Sequence, residues 1–383
     1  GDIWLCSGQS NMEFEVGWTT SASDVAADPD LRLYDMKCNW RTDNVEWPAS
    51  ALDSVNHLQY FAPTEWVAAT PATERRFSAV GYYFGRALRD SLQVPIGLIN
   101  NAVGGSTAES WIDRETLETR YPQILRDWTR NDLIMEWARE RALKNLAARP
   151  EAPEGYGVVP LRHPYEPCYL FEAAIRPFDH FPITGVIWYQ GESNADRAYR
   201  YRDLMSTMVQ DWRSAWGYDF PFYITQIANY HAVSPVPGEF SWAELREAQS
   251  MAASVLDAAD VACIIDLGEA EDVHPIRKKE VGDRLALLAL SHDYGRSKVA
   301  SGPRFESYVL DHGSVRVKFS SIGSGLRAAP SGSFAEARYG SEAIGFDIVR
   351  RAEAGELTGF QIAGADKVWH WAKAEIDGDE VIV

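Results

Sequence analysis

The first twelve residues, GDIWLCSGQSNM (residues 1–12), contain the pattern from which the fold can be predicted. An apolar run of strand length, Ile3–Ser7, gives way at Gly8 to a short polar segment centred on Ser10. A serine at such a turn presents its hydroxyl at the edge of a sheet, and its own N–H points to where an oxyanion would form. The alternative interpretation is a helix-capping serine. The segment is not a G-x-S-x-G elbow, because Met12 occupies the place of the second glycine.

Farther along the chain, apolar runs of strand length alternate with segments of helical period. This alternation predicts a parallel sheet covered by helices. The predicted strands are Ile3–Ser7, Leu31–Met36, Ile96–Asn101, Ile183–Tyr189, Phe222–Ala228 and Val261–Leu267. The predicted helices are Ser78–Leu92, Asn194–Trp216, Trp242–Leu256 and Pro275–His292.

Two regions depart from this alternation. Residues 116–181 are long for one crossover and are predicted to be an insertion, with a charged helix at Arg126–Ala148 and a Pro- and Gly-rich loop up to Pro167. This insertion either lies over a cleft or only decorates the surface. From residue 296 onward, alternation around Val317 and the turn signal Asp377-Gly378 predict a small β domain over residues 296–383. The α/β domain would then occupy residues 1–295.

Composition excludes several classes of protein. Lys and Arg number 37 against 55 Asp and Glu, and the net charge of −18 argues against binding to nucleic acid or to an anionic membrane surface. A hydrophobic content of 46% excludes wholesale disorder. No apolar run reaches the roughly 18–20 residues that a membrane-spanning helix needs.

The four cysteines argue against a zinc site and against a dense disulfide framework, because they are far apart and form no CxxC pair. One or two long-range disulfides among Cys6, Cys38, Cys168 and Cys263 remain open. No set of ligands at metal spacing is present, so we predict neither a metal nor an organic cofactor. The chain begins at Gly1 in a strand-like run, which we interpret as a trimmed or mature chain.

Two more polar segments follow predicted strands. Gly104 and Gly105 begin the segment GGST (residues 104–107), where two glycines either expose a backbone N–H to a ligand or make a plain turn. Residues 188–194, WYQGESN, end a fully apolar strand. A buried strand seldom ends in four polar side chains unless they bind a ligand or take part in chemistry. The alternative interpretation is that Ser193 or Asn194 caps the next helix.

A fourth segment, Asp272-Val273-His274-Pro275, precedes a predicted helix. An aspartate two residues before a histidine places its carboxylate near one ring nitrogen and leaves the other for Ser10, as serine catalysis requires. The alternative interpretation is that Asp272 caps the helix and His274 lies on the surface. Of the eight histidines, His274 combines a neighbouring carboxylate with a strand-end position.

Together these segments resemble the block pattern of the SGNH hydrolase superfamily, and most closely the sialate O-acetylesterase-like carbohydrate esterases. The resemblance is carried by residues 1–12, by VIWYQGESN (186–194), by DVHP (272–275) and by GFQIAGAD (359–366). It spans nearly the whole chain and is weakest over residues 116–170. It implies a flavodoxin-like α/β sheet sandwiched by helices, an accessory C-terminal β domain, and a secreted or periplasmic location.

The resemblance also implies catalytic roles. Ser10 would be the nucleophile, His274 the base and then the acid, and Asp272 the group that orients His274. The D-x-H spacing is shorter than the D-x-x-H of the superfamily, but the sialate esterase-like branch tolerates it. The oxyanion hole would combine the backbone N–H groups of Ser10 and Gly105 with a side-chain amide.

The source of that amide is open, because the position that is asparagine in many SGNH enzymes is Ser193 here. Gln190 or Asn194 must then supply it, and we favour Gln190 because it ends the strand nearest the site. Gln9 and Glu192 are expected to support the catalytic groups from behind, with Glu192 holding the loop or a neighbouring arginine.

The implied activity is removal of O-acetyl groups from sugars, with an acetylated sugar or oligosaccharide as the partner. The alternatives are an acetyl xylan esterase and a non-catalytic carbohydrate-binding relative. The charge of −18 slightly favours a neutral xylan chain over an anionic sialoside, although salt screens charges beyond about 8–10 Å. Trp4, Trp188 and Tyr189 are expected to border a small acyl pocket.

Overall fold

The computed structural model describes residues 1–22, 27–148, 162–232, 234–296, 299–328 and 357–383, with the backbone of 338–339 and 342–343. Within these residues the chain forms a seven-stranded central sheet. Its strands are β1 (Asp2–Gly8), β2 (Asp28–Asp35), β3 (Val67–Ala69), β4 (Ile96–Asn100), β5 (Gly185–Tyr189), β6 (Phe222–Thr225) and β7 (Ala259–Ala262). They lie in the order β3-β2-β4-β1-β5-β6-β7, and β3 alone in this sheet pairs antiparallel.

Five of these strands reproduce the flavodoxin-like order. Numbered along the chain, β1, β4, β5, β6 and β7 lie side by side as 2-1-3-4-5. The predicted α/β fold class is therefore confirmed. Strand β2 and the short β3, which was not predicted, extend the sheet beyond β4. In such sheets ligands bind at the carboxyl ends of the strands where the order switches, which here is at β1 and β5.

Helices cover both faces of the sheet. They are α1 (Ser10–Glu13), α2 (Ala49–Asn56), α3 (Pro71–Glu74), α4 (Ala79–Leu92), α5 (Arg114–Arg120), α6 (Pro122–Leu125), α7 (Glu136–Asn145), α8 (Ala198–Trp216), α9 (Ser241–Ser254) and α10 (Lys278–His292). Helices α4 and α10 pack with Trp4 and Cys6 on one face, and α8 and α9 pack with Leu5 on the other. Burial of both faces explains why the strands are apolar at consecutive positions.

The predicted strand Val261–Leu267 is mostly loop. Strand β7 ends at Ala262, and Ile264 and Leu267 beyond it are buried from a turn that the Leu267 N–H closes onto the Ile264 carbonyl, whereas Ile265 between them is exposed. A short apolar run in a loop that contributes some of its side chains to the core resembles a buried strand in the sequence. The predicted helix Pro275–His292 likewise begins only at Lys278.

The prediction of a single helix over Arg126–Ala148 is also wrong, because this region contains two shorter elements. It consists of a 3₁₀ turn at Trp128–Arg130 and then α7. Between them, the Asn131 side-chain amide donates to the carbonyls of Gln123 and Arg126 and so closes a loop in place of a helical turn. Residues 149–161, most of the loop predicted to follow, lie outside the described residues.

A separate antiparallel β region follows near the C-terminus. Its strands are β8 (Arg304–Asp311), β9 (Ser314–Ser320), β10 (Arg338–Tyr339), β11 (Glu342–Ala343), β12 (Gln361–Ala363), β13 (Trp369–Trp371), β14 (Glu375–Asp377) and β15 (Glu380–Ile382). In the described part, four of them form a sheet in the order β14-β15-β9-β8. The hairpin predicted at Asp377-Gly378 joins β14 to β15. The domain boundary at residue 295 and the limits of the insertion stay predictions.

Candidate active site

The site begins at the carboxyl end of β1. Gly8 has a φ of 139°, and a Cβ at this position would lie 2.1 Å from the carbonyl oxygen of Tyr189 on β5. A glycine is needed there because the two strand ends approach so closely. The Gln9 N–H donates to the same Tyr189 oxygen at 3.0 Å, and α1 then starts at Ser10. This turn leaves the Ser10 side chain half-buried at the edge of the sheet.

His274 faces Ser10 from the loop between β7 and α10. Its Nε2 lies 2.8 Å from Ser10 Oγ, so the serine hydroxyl can donate to a neutral imidazole. The loop is tied to α1 by Asn11, whose Nδ2 donates to the Val273 carbonyl at 2.9 Å. The structure therefore brings the predicted nucleophile and base together.

Asp272 lies beside the other ring nitrogen but outside hydrogen-bonding range. Its Oδ1 accepts the backbone N–H of His274 at 2.8 Å, whereas Oδ1 and Nδ1 are 3.7 Å apart. The side chains of His274 and Asp272 are 38% and 36% exposed. The carboxylate thus acts on the imidazole through its charge and through the loop backbone.

The pKa of His274 is lowered from its ordinary value. Burial is the main cause of this low pKa, the nearby Lys278 ammonium adds to it, and the Asp272 carboxylate opposes it. A lowered pKa keeps the imidazole neutral at neutral pH, which is the form that accepts a proton from Ser10.

A buried polar network supports this pair from below. Asn11 Nδ2 donates to Glu192 Oε1 at 2.6 Å, and Asn11 Oδ1 accepts from Lys278 Nζ at 2.5 Å. Burial raises the pKa of Glu192 and lowers the pKa of Lys278 to about 7. Glu192, which also lines the cleft, is bonded to Asn11 and not to an arginine, and its supporting role stays a prediction. No motif in the sequence marks Lys278 as a residue of this site.

Gly105 lies in the same cleft as Ser10. Its φ is 76°, and a Cβ there would lie 2.2 Å from the Tyr165 hydroxyl oxygen. The preceding Gly104 N–H donates to Glu13 Oε2 at 2.8 Å. In the part of the chain that the structure describes, no acceptor is found for the N–H of Ser10 or of Gly105. These two groups are therefore available to an anion.

Gln190 and Asn194 do not line the cleft. Gln190 Nε2 donates to the Ser106 carbonyl at 3.1 Å and to Asn194 Oδ1 at 2.8 Å. Asn194 Nδ2 donates to Glu109 Oε2 at 3.0 Å. The expectation that one of these amides completes the oxyanion hole is contradicted by this geometry, since both are buried and bonded elsewhere. They brace the loop that follows Gly105.

Gln9, for which a supporting role is predicted, is buried in the turn after β1. Its Oε1 accepts the N–H groups of Gly191 at 3.4 Å and of Ser193 at 3.3 Å, so it joins the turn after β1 to the segment after β5. Ser193, which stands where many SGNH enzymes have asparagine, donates from Oγ to the Gly105 carbonyl at 3.1 Å.

The cleft above Ser10 has a volume of about 580 Å³. Its lining includes Arg41, Thr42, Trp137, Arg141, Tyr165, Tyr230, Trp242, Val273 and His274. Trp4, Trp188 and Tyr189 were expected to border an acyl pocket, but all three are fully buried in the cores on the two faces of the sheet. That expectation is wrong, because a strand residue next to the site can point into the core.

The structure describes all four cysteines, and none forms a disulfide. Its described residues contain no group of three or more His, Cys, Asp or Glu side chains arranged to hold a metal ion. No helix among them is both long and apolar enough to cross a membrane.

A family profile described as "Carbohydrate esterase, sialic acid-specific acetylesterase" matches residues 1–133 and 165–290, which is more than half of the chain. The chain belongs to this family. The matched ranges leave out residues 134–164, which lie within the predicted insertion.

Individual relatives agree with this family. Over 336 residues the chain is 28% identical to mouse sialate O-acetylesterase, and over 340 residues it is 26% identical to the human protein. These alignments cover 79% and 81% of the chain but only 58% and 57% of the length of these relatives. The crystal structure of a carbohydrate acetylesterase from Xanthomonas citri is 34% identical with a TM-score of 0.71, covering 100% of this chain and 72% of that one.

Proposed function

We propose that this chain is a serine esterase that removes O-acetyl groups from carbohydrates. The observation that carries the proposal is the 2.8 Å contact between Ser10 Oγ and His274 Nε2, beside the two N–H groups of Ser10 and Gly105. A nucleophile, a base and an anion site are the groups that acyl transfer requires. The same contact argues against a non-catalytic carbohydrate-binding relative.

The reaction proceeds in two halves. His274 accepts the Ser10 proton as Oγ bonds to the acetyl carbonyl carbon, and the resulting oxyanion accepts from the N–H groups of Ser10 and Gly105. The C–O bond to the sugar then breaks, and the sugar oxygen takes the proton from His274. In the second half His274 deprotonates a water molecule that attacks acetyl-Ser10, and as the bond between Ser10 Oγ and the acetyl carbon breaks, His274 returns the proton to Oγ and acetate is released.

A direct experiment is to trap the acyl-enzyme. A short acetyl ester mixed with the protein and quenched before steady state should leave one acetyl group on the peptide that contains Ser10, as read by mass spectrometry. The Ser10→Ala variant should show none. Acetylation elsewhere, or none in the wild type despite turnover, would contradict the covalent route.

For the sugar, we propose an O-acetylated sialic acid. Support comes from two arginines on the cleft wall, since a guanidinium with unused donors recognises a carboxylate well. One N–H of Arg141 donates to the Thr42 carbonyl at 2.7 Å, which leaves its other N–H groups for a ligand. Arg41 Nε lies 3.7 Å from Asp43 Oδ2, which is beyond hydrogen-bonding distance. The aromatic faces of Trp137, Trp242 and Tyr230 add apolar surface for a sugar ring.

The second candidate is an acetylated neutral glycan such as acetyl xylan, which the net charge of −18 favours at long range. Comparing kcat/KM for an O-acetylated sialic acid, its carboxyl methyl ester and acetyl xylan separates the two. A preference for the free carboxylate that Arg141→Gln and Arg41→Gln remove supports the sialic acid. A higher kcat/KM for acetyl xylan contradicts it.

The acyl group is proposed to be acetyl. Each extra methylene that a pocket excludes changes specificity by roughly 1–3 kcal/mol, so kcat/KM should fall from acetyl through butyryl to octanoyl esters. A rise with chain length would instead indicate a lipase-like hydrolase.

The secreted or periplasmic location implied by the family resemblance is likewise a proposal. Fractionation of cells that express the natural gene tests this location, since recovery of the protein in the cytoplasm would contradict it.

A further inference from the structure

We propose that Tyr165 and Thr42 are positioning residues that aim the N–H of Gly105 at the oxyanion. The proposal rests on the serine esterase function above. Neither residue was singled out from the sequence. Thr42 comes from the loop after β2, and Tyr165 comes from the predicted insertion, at the first position of the second range that the family profile matches.

The geometry concerns a single peptide group. The carbonyl of Gly104 and the N–H of Gly105 belong to one planar trans peptide, so the two point in opposite directions. The Tyr165 hydroxyl lies 2.8 Å from Gly104 O, and Thr42 Oγ1 lies 3.2 Å from the same oxygen. With the carbonyl held on one side by two hydroxyls, the direction of the N–H on the other side is determined.

The tyrosine is itself held firmly. Its ring is buried between His163, at a centroid distance of 4.9 Å, and Trp137, at 5.8 Å. Its hydroxyl is also 2.8 Å from Thr42 Oγ1. The two hydroxyls carry one proton each, so two of the three contacts are hydrogen bonds at a time, and in every such arrangement the Gly104 carbonyl accepts at least one of them. Burial raises the pKa of Tyr165, which keeps the phenol protonated and able to donate.

The opposite edge of this loop is fixed as well. The Gly104 N–H donates to Glu13 Oε2 on α1, three residues after Ser10, and a Cβ on Gly104 would lie 3.5 Å from Ser10 Cβ. The peptide therefore sits directly against the nucleophile. Hydrogen bonds to a carbonyl also polarise its peptide, which makes the N–H a stronger donor. A donor held in place before reaction stabilises the transition state without reorganisation.

The test is Tyr165→Phe, with Tyr169→Phe as a matched control. Tyr169 is equally buried, and its hydroxyl also donates to a backbone carbonyl, that of Val55 at 2.9 Å, but it lies outside the cleft. Removal of a whole oxyanion donor costs about 10²–10³ in kcat. Since Tyr165→Phe only loosens a donor, we expect about a tenfold fall in kcat with KM unchanged. Tyr169→Phe should lower Tm similarly and keep wild-type kcat.

A second pair of variants keeps the test independent of folding losses at residue 165. Thr42→Val should lower kcat, and Thr42→Ser, which retains the hydroxyl, should restore it. Methylboronic acid gives a readout of the anion itself, because Ser10 Oγ adds to boron to form a tetrahedral anionic adduct that resembles the transition state. Its Ki should weaken in Tyr165→Phe by the same factor as kcat.

Equal kcat in Tyr165→Phe and Tyr169→Phe, a loss confined to KM, or an unchanged boronate Ki would overturn the proposal. Ser10→Ala distinguishes this failure from failure of the proposed function. If Ser10→Ala is inactive while Tyr165→Phe behaves like its control, the positioning role alone is wrong. If Ser10→Ala remains active, the esterase mechanism itself is wrong.

Discussion

The two members of the proposed catalytic pair, Ser10 and His274, are held in different ways. Ser10 follows the central strand β1, and its neighbours Gln9 and Asn11 are 4% and 1% exposed and hydrogen bonded to distant segments. His274 lies on a loop after β7, an edge strand, and more than a third of its side chain is exposed.

This difference indicates where function depends on the fold and where it depends on one loop. The position of Ser10 and of the Gly105 N–H is set by buried contacts between β1, β5 and the segments after them. The position of the imidazole is set by Asn11 and by the short Asp272–His274 turn. Substitutions near His274 should therefore change protonation and rate without unfolding the chain.

The largest effect is expected from Ser10→Ala. Removal of the attacking hydroxyl should lower kcat at least about 10⁴-fold, while circular dichroism and Tm remain those of the wild type because the side chain is small and half-buried. Ser214→Ala, at an exposed helical serine, is the control. Residual activity within about tenfold of wild type would contradict the serine mechanism.

His274→Ala and Asp272→Ala together measure how much the imidazole and the neighbouring carboxylate each contribute to kcat. Loss of the general base should cost at least about 10³-fold in kcat. Asp272→Ala should cost only about 10-fold to 100-fold, since its carboxylate is 3.7 Å from Nδ1 and partly screened by water. Steady-state kinetics on one short ester give both values. If the aspartate variant were the more damaged, Asp272 would have another role.

A smaller effect concerns pH. Because burial and the Lys278 charge lower the pKa of His274, the acid limb of kcat/KM should fall at a pH below that of an ordinary histidine. Below this pKa the imidazole is protonated and cannot accept the Ser10 proton. Lys278→Met removes a positive charge, stabilises the imidazolium and should move the acid limb to higher pH.

Lys279→Met is the matched control for this shift. Lys279 is the next residue on α10, but it is paired with Asp283 at 2.6 Å on the surface. Its removal should leave the pH profile unchanged. Identical profiles for the two variants would show that Lys278 does not act on His274.

The smallest expected effect is that of a chelator. The proposed chemistry uses Ser10, His274 and two backbone N–H groups, so turnover measured with and without EDTA should be the same. A loss that added divalent metal restores would contradict the proposed chemistry.

Much of the fold could be predicted because strands buried on both faces are apolar at consecutive positions, whereas the helices between them keep a helical period. Strand β3 was missed since three residues are too few to show a period. Gln190 and Asn194 were placed wrongly because spacing says that an amide is near the site, but not whether it points into the cleft or behind it. Tyr165 and Thr42 meet the Gly104 carbonyl only through tertiary structure.

Lys278 and Lys279 also show that the sequence alone does not reveal which side chains are buried. They are identical neighbours in the sequence, yet one is buried under the active site and the other is exposed. A buried lysine gives no local signal, because its burial depends on Asn11 and Glu192, which are remote in the chain.

The network around Asn11 also bears on the order of folding. Asn11 contacts Glu192, Val273 and Lys278, which follow it by 181, 262 and 267 residues. Contacts at such separations close large loops and form slowly, after local helices have appeared. In a nascent chain, the turn that carries Ser10 therefore lacks some of its contacts until α10 has been synthesised. On refolding from denaturant, esterase activity should return after the helical circular dichroism signal has recovered.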